Sequence, residues 1–136
     1  MRDIIETVRE TVQLKTLFSA LGAADLSETL SGPGPLTFFA PVEEAFRRLP
    51  EERGRRLFQN KWELRRILKC HIMTDLVNMA DLEDMGVARM MNDRIFDIVV
   101  HKDGIIVDGA RIIGGDIVCS NGILHFVDAV INPDEI

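Results

Sequence analysis

The stretch GGDIVCSNGILHFVDAVINP, residues 114–133, decides the fold of this chain. Two apolar runs flank the pair Asn121-Gly122, a dipeptide that readily adopts positive φ and turns one strand back onto the next. The stretch therefore predicts a β-hairpin with its bend at residues 121–122. Gly114-Gly115, which precedes the first run, is interpreted as a further turn.

The pattern of strands and turns extends back to Val87. Turn signals recur at Asn92-Asp93, Asp103-Gly104 and Asp108-Gly109. The segments between the turn signals are rich in β-branched residues and are predicted as strands over 95–100, 105–107, 112–113, 117–118 and 123–131. Connections this short join antiparallel neighbours, since parallel pairing needs a long crossover. The last third is predicted to be an antiparallel meander.

The first half of the chain has helical periodicity instead. The first 30 residues predict helices, and a loop rich in glycine and proline leads into a strand over Leu36–Ala40. Pro41 ends that strand and a helix is expected over Val42–Leu49. After Asn60 the clearest helix places Leu64, Ile67, Leu68 and His71 on one face. Helices first and strands later predict the α+β class.

Three blocks, residues 36–46, 64–72 and 114–133, resemble in order and separation the conserved regions of the fasciclin (FAS1) domain. The resemblance covers nearly the whole chain, and its single-domain bacterial and archaeal type fits residues 1–136 as one domain. It implies a wedge-like antiparallel β-sandwich with N-terminal and flanking helices. The family positions expected to be structural are Thr37, Phe39, Ala40, Pro41, Phe46, His71, Ser120, Asn121, Gly122, His125 and Asp128.

The resemblance also gives expectations for individual residues. It implies a buried His71 imidazole bonded to a polar group of the first block, and an Asp128 that anchors a neighbouring backbone group. The chain departs from the family pattern at Cys70, where tyrosine is usual. It departs again at Val42-Glu43, where Thr followed by Asn or Asp is common, and this removes a helix-capping hydroxyl worth about 1 kcal/mol.

Charge is distributed unevenly. Residues 47–69 contain nine basic and three acidic residues, a charge of +6, whereas the rest of the chain contains seven basic and nineteen acidic residues, a charge of −12. A basic segment of this kind steers anionic partners, but the overall charge of −6 argues against tight binding of nucleic acid. A solvated helical surface is the simpler interpretation of the same residues.

The sequence favours no enzymatic site. The three histidines are far apart, and no paired His or Cys spacing prepares a metal site. No glycine-rich phosphate loop is present, and Cys70 and His71 are adjacent without a geometry that makes a nucleophile and its base. We therefore expect no catalytic residue, no cofactor and no metal. The two cysteines, Cys70 and Cys119, are expected to be buried thiols rather than a disulfide.

Two surfaces are candidates for partner binding. Trp62 points away from the apolar face of its helix, and an anionic ligand is expected to engage it together with Arg55, Arg56, Arg65 and Arg66. The second candidate is Asp116-Ile117, at the position of an Asp-Ile pair in vertebrate adhesion motifs of the family. An exposed Asp116 that binds a receptor's metal ion and an Asp116 that holds a turn while Ile117 packs inside both remain open.

The resemblance implies a non-enzymatic module for cell adhesion or for surface and matrix interaction, through protein or anionic polysaccharide contacts. The alternative is carriage of a small apolar ligand, such as a lipid or a carotenoid-like pigment, in a groove lined by Met73, Met79, Met85, Met90 and Met91. A monomer is favoured.

Location is the last expectation from the sequence. No stretch has the ~18 apolar residues of a membrane helix, so no membrane insertion is expected. The charged first residues lack a signal peptide's apolar centre. The expected location is extracellular, cell-surface or periplasmic if a leader was removed, and cytoplasmic if Met1 is the native start.

Overall fold

The structure is a computed structural model that describes residues 1–131. Helices dominate its first half and strands its second half, as the periodicity predicts. The helices are α1 (Ile4–Glu10), α2 (Lys15–Ala23), α3 (Ser27–Ser31), α4 (Glu43–Arg47), α5 (Glu51–Gln59), α6 (Lys61–Lys69) and α7 (Met79–Met85), with a 3-10 turn over Val12–Leu14. The strands are β1 (Leu36–Pro41), β2 (Ile72–Met73), β3 (Val87–Arg89), β4 (Ile95–His101), β5 (Gly104–Val107), β6 (Ala110–Cys119) and β7 (Gly122–Val127).

The seven strands of the described residues form one hydrogen-bonded sheet in the order β2-β1-β7-β6-β5-β4-β3. Strands β3 to β7 pair as the predicted antiparallel meander. The prediction of antiparallel pairing throughout is wrong at one place, because β1 and β7 are parallel, from Leu36 beside Gly122 to Pro41 beside Val127. The connection between them, residues 42–121, contains α4 to α7 and β2 to β6 and easily exceeds the long crossover that a parallel pair requires. The sandwich arrangement that the resemblance implies stays a prediction, because the hydrogen bonds of the described strands form one continuous sheet.

Strands β1 and β7 separate two apolar cores. Phe38 belongs to the core formed with the helices, which includes Leu21 and Leu68. Its neighbour Phe39 belongs to a second core inside the meander, beside Val127. Every residue of β1 is buried, because successive side chains point to opposite faces and both faces are covered.

The Gly114-Gly115 pair is not a turn. Both glycines lie inside the ten-residue strand β6, where the register with β7 shifts twice between Ile112 and Ile117. A Cβ atom at Gly115 would overlap Nδ1 of His125, and one at Gly114 would lie 3.1 Å from the ring of Phe126. The glycines therefore admit two large side chains of β7 instead of reversing the chain.

The hairpin between β6 and β7 exists, but its bend is displaced by one residue. The turn residues are Ser120 and Asn121, and β7 begins at Gly122. Gly122 does not have the predicted positive φ, whereas Asp108 (φ 47°) and Gly109 (φ 79°) both do and form the predicted turn between β5 and β6. Strand β7 also ends at Val127 rather than at residue 131.

The sequence analysis did not predict the short elements α5, α7, β2 and β3. The helix expected over Val42–Leu49 covers only Glu43–Arg47. Within α5 only Leu57 is buried, so the segment lacks a helical apolar stripe. A signal for α7 was present in the sequence. Asn78 and Asp81 form a reciprocal capping box at its start.

Candidate interaction surfaces

Asn121 does more than turn the chain, because its side chain is buried. Its Oδ1 accepts a hydrogen bond from the backbone N–H of Ile4 at 3.0 Å. Its Nδ2 donates to the carbonyls of Leu30 at 2.8 Å and Gly32 at 2.9 Å. Asn121 thereby joins α1, the end of α3 and the hairpin, which is a structural role.

His71 is buried, as expected, but its bonding partners differ from the expected ones. Nδ1 donates to the carbonyl of Ile67 at 2.9 Å, and Nε2 accepts from the backbone N–H of Ile131 at 2.9 Å. The imidazole therefore bonds no polar group of β1; only the His71 backbone carbonyl does, through Phe39 N–H. Burial lowers the pKa of His71 from 6.5 to about 4, so the ring is neutral and can accept the hydrogen bond from Ile131 N–H.

His125 lies on β7 and holds the loop before α7. Its Nε2 lies 2.8 Å from the carbonyl of Val77, to which it donates, and its ring centroid is 5.6 Å from that of Phe39. Thr37 binds the same loop, since its hydroxyl donates to the carbonyl of Asp75 and accepts from Val77 N–H. Burial lowers the pKa of His125, which favours the neutral imidazole.

The remaining family positions are also placed in structural settings. Asp128 Oδ1 accepts from Arg111 N–H at 2.9 Å, which is the expected anchoring of a backbone group. Phe46 packs against the helical core, and Ala40 and Pro41 lie within the buried strand β1. Ser120 contributes its backbone N–H to the carbonyl of Arg2.

The structure places Asp116 and Ile117 differently from one another. Ile117 is half-buried and packs against the helical core. Asp116 is exposed, and its Oδ1 accepts from Met79 N–H, the first amide of α7, at 2.8 Å. The same oxygen lies 3.8 Å from Nδ1 of His125, an atom that is buried and has no hydrogen-bond partner within residues 1–131. Asp116 thus supports a helix start while its carboxylate stays accessible to a partner.

The basic segment is largely paired with carboxylates. Arg55 and Arg56 of α5 bind Glu51 and Glu52 one turn earlier, at 3.2 and 2.6 Å. In α6 and at its start, Arg66 binds Glu63 at 2.6 Å, and Lys61 forms an ion pair with Asp25. Arg65 donates to two backbone carbonyls, of Ala24 at 3.0 Å and of Asp25 at 2.9 Å. These pairs are on the surface, where each contributes little to stability.

Trp62 is the most unusual side chain of this segment. It stands on α6 with 74% of its surface exposed, although it is the one tryptophan of the chain. The Lys61 ammonium lies 5.9 Å from the ring centroid, within the range of a cation–π contact. The core-facing residues Leu64, Ile67 and Leu68 occupy the other side of the helix, as the spacing predicts. Trp62 therefore takes no part in the packing of α6 against the core.

The methionines expected to line a groove are divided between different settings. Met73 and Met90 are buried in the meander core, against which Met79 packs, whereas Met91 packs against the helical core and Met85 is exposed. The cysteines are separated in the same way, Cys70 in the meander core and Cys119 in the helical core. Both are thiols, as predicted.

Comparison with known proteins agrees with this geometry. A family model described as Fasciclin domain matches residues 12–133. The chain belongs to the fasciclin domain family. Among known proteins, the fasciclin domain described here is 36% identical to the Synechocystis protein sll1483, over 96% of this chain and 73% of that protein, and 35% identical to Synechocystis sll1735, over 96% and 98%.

More distant relatives extend the comparison. Human periostin is 30% identical over 98% of this chain, which spans only 16% of periostin. The solved structure of a FAS1 domain pair from the insect cell adhesion molecule fasciclin I superposes with a TM-score of 0.84 at 16% identity, covering 98% of this chain and 51% of that one. This superposition shows that the fasciclin domain has the FAS1 fold.

Both departures from the family pattern have structural consequences. At the position where tyrosine is usual, Cys70 Sγ accepts from Asn92 Nδ2 at 2.9 Å. Val42 begins α4 without a side-chain cap, as predicted. The carboxylate of its neighbour Glu43 accepts a hydrogen bond from the Thr16 hydroxyl at 2.8 Å, which connects α4 to α2.

The described residues of this fasciclin domain contain neither a membrane-spanning helix nor a ready-made metal site. Within residues 1–131 no helix is long and apolar enough to cross a membrane. In the same range no three His, Cys, Asp or Glu side chains come together in a way that could hold a metal ion.

Proposed function

We propose that the chain, residues 1–136, is a single non-enzymatic fasciclin domain that binds a protein or an anionic polysaccharide at a cell surface or in a matrix. The exposed Trp62 carries this proposal. The relationship to periostin and to the insect cell adhesion molecule fasciclin I supports an interaction module. The buried histidines support it as well, because His71 and His125 hold backbone groups and have no substrate-facing role.

An exposed tryptophan is a large apolar surface in contact with water. Its burial against a partner gains roughly 25 cal/mol for each Å² of apolar area removed from water. Tryptophan and arginine are the residues most enriched among those that dominate binding energy. Trp62 lies next to Lys61 and on the same helix as Arg65 and Arg66, so an aromatic platform and cations are presented together.

The ion pairs of α5 and α6 do not prevent binding of an anion. The Glu51 and Glu52 carboxylates that pair with Arg55 and Arg56 are themselves exposed. Surface pairs of this kind contribute about 0–1 kcal/mol, so a sulfate or carboxylate of a ligand can replace them at little cost. The charge of +6 over residues 47–69 favours a polyanion at this end of the molecule.

Calorimetry with heparin oligosaccharides tests the proposal. We expect binding that weakens as the salt concentration rises, because cations that pair with a polyanion release its counterions. Trp62→Ala and the quadruple change of Arg55, Arg56, Arg65 and Arg66 to Ser should each weaken it. The matched control, Arg9→Ser with Lys15→Ser, removes two exposed cations elsewhere and should leave binding unchanged. Binding that ignores salt, or that survives the quadruple change, contradicts the proposal.

The proposed role also sets a proposed location, outside the cytoplasm and either extracellular, on the cell surface or periplasmic. No observation favours apolar-ligand carriage, since Met73 and Met90 are used in core packing. A lipid or pigment seen by native mass spectrometry of the purified protein would favour it instead.

A further inference from the structure

Strand β6 has an open edge along its second half. Strand β5 pairs with β6 at Ala110 and Arg111, whereas β6 continues to Cys119. Beyond that short contact β6 has β7 on one side and, within residues 1–131, no strand on the other. Gly115, Asp116 and Val118 are exposed along this half.

An open edge leaves backbone groups without partners. In an antiparallel pair, successive residues direct their N–H and C=O groups alternately toward the neighbouring strand and away from it. Between Ile117 and Cys119, where the register with β7 is regular, the N–H and C=O groups of alternate residues therefore point away from β7. The loop and turn hydrogen bonds between backbone groups of residues 1–131 do not reach residues 114–118. These groups are free to pair with an added strand.

An apolar groove lies at the end of β6, against the turn and the start of β7. Val118 is 61% exposed and lines a groove of about 410 Å³ together with Leu76, which is 56% exposed, and Pro33 and Pro35. Asp116 and Val118 are two residues apart on one strand, so their side chains share a face. Ile117 between them packs against the helical core. The exposed face of β6 thus presents the Asp116 carboxylate and, two residues further along, the apolar groove at Val118.

Protection against edge pairing is incomplete here. Bulges and charged residues commonly block the edges of natural sheets. The register shifts of β6 lie before Ile117, whereas Ile117, Val118 and Cys119 pair with β7 in regular register. The charge of Asp116 repels an anionic strand but attracts a cationic one.

We propose that the open edge of β6 at Asp116–Val118 accepts an extended segment of a partner protein as an added strand. The segment places a lysine or arginine beside Asp116 and, two residues away, an apolar side chain in the groove at Val118. This proposal rests on the proposed role as an interaction module, but it concerns a surface that does not include Trp62. It also gives Asp116 a binding role that needs no receptor metal.

The test uses a fluorescein-labelled peptide, Thr-Val-Thr-Lys-Thr-Val-Thr. The protein is titrated into it up to about 1 mM, so that dissociation constants up to about that value can be detected. We expect binding, with slower hydrogen exchange at residues 114–118. Val118→Lys should weaken binding at least about tenfold, since a charged edge residue blocks strand addition. The matched control Val99→Lys changes a valine that is 43% exposed on β4, which has strands on both sides, and should have no effect.

Peptide controls separate strand addition from simple attraction. Methylation of alternate backbone nitrogens removes the ladder donors while keeping every side chain, and should abolish binding. Glutamate in place of the lysine should weaken binding, and Asp116→Asn should reduce this preference while keeping an acceptor for Met79 N–H. Thermal unfolding of each variant checks that the fold is intact.

Several results would overturn the inference. These are no binding at the highest concentration, equal binding of the methylated peptide, equal binding by Val118→Lys, or a dimer of this chain that closes the same edge and excludes the peptide. Heparin binding by Val118→Lys separates the two proposals. A failed peptide titration with intact, Trp62-dependent heparin binding rejects strand addition alone, and the reverse result rejects the polyanion site alone.

Discussion

The side chain of Asn121 and the backbone N–H of Ile4 are joined by a 3.0 Å hydrogen bond across 117 positions of the chain. The same side chain holds the carbonyls of Leu30 and Gly32. The bend between β6 and β7 is therefore also a point at which the N-terminal helices are attached to the sheet. Replacement of this turn residue is expected to affect the whole fold.

Asn121→Ala should lower the free energy of unfolding by about 3 kcal/mol, because two buried backbone groups and one partly buried group lose their partner and each net bond contributes about 1 kcal/mol. Urea unfolding followed by circular dichroism measures the change. Ser120→Ala is the control, since Ser120 is exposed and offers only its backbone N–H to Arg2; it should change stability by less than about 0.5 kcal/mol. Equal effects of the two variants would contradict a buried role for Asn121.

Gly122→Ala should destabilise the protein by at least about 2 kcal/mol, for a reason that differs from the predicted positive φ. The added Cβ would overlap the carbonyl of Leu36, so the parallel pairing of β1 with β7 would have to shift. Gly54→Ala is the matched control in α5, where nothing lies within 4 Å of the new methyl group. It should stabilise the protein by about 0.5–1 kcal/mol because glycine is a poor helix former. If Gly122→Ala left the free energy of unfolding unchanged in the same urea experiment, the close approach of Gly122 to the Leu36 carbonyl would be contradicted.

Acidification should destabilise the protein through His71. Its pKa is about 4 in the folded state and 6.5 when unperturbed, so below 6.5 the unfolded chain takes up the proton more readily. The contribution of His71 to the free energy of unfolding is fully present above about pH 6.5. It decreases as the pH falls to about 4, by on the order of 3 kcal/mol. The buried His125, whose pKa is also lowered, acts in the same direction. Urea unfolding from about pH 7 to about pH 4 measures the loss.

The variant His71→Gln separates this effect from general acid sensitivity. It should be less stable than the native chain at neutral pH, since Ile67 and Ile131 lose an imidazole partner shaped to fit them. Its stability should fall less steeply on acidification. An identical pH dependence of the two proteins would show that His71 does not carry the effect.

Local patterns in the sequence predicted a large part of this fold. The spacing of Leu64, Ile67 and Leu68 identified α6 and its buried face, and the Asp108-Gly109 signal identified a turn. Both depend on residues close together in the chain. The role of Gly114-Gly115 could not be obtained in this way, because it depends on Phe126 and His125 of the adjacent strand.

The candidate surfaces show the same division. The exposure of Trp62 followed from its helical position opposite the apolar face. The ion pair of Lys61 with Asp25 and the bonds of Arg65 to Ala24 and Asp25 were not predictable, since α6 must first pack against the end of α2. The open edge of β6 could not be predicted for a related reason. Whether a strand has a neighbour along its whole length depends on the length of the adjacent strand, here β5.

The sequence by itself determined the α+β class, the antiparallel meander and the family, because periodicity, turn chemistry and ordered motifs are local properties of the chain. Tertiary structure alone decided the parallel pairing of β1 with β7, the partners of His71 and the attachment of the helices through Asn121. These features join residues that are distant in sequence. Their geometry is fixed only when both apolar cores close and each buried polar group must find a partner.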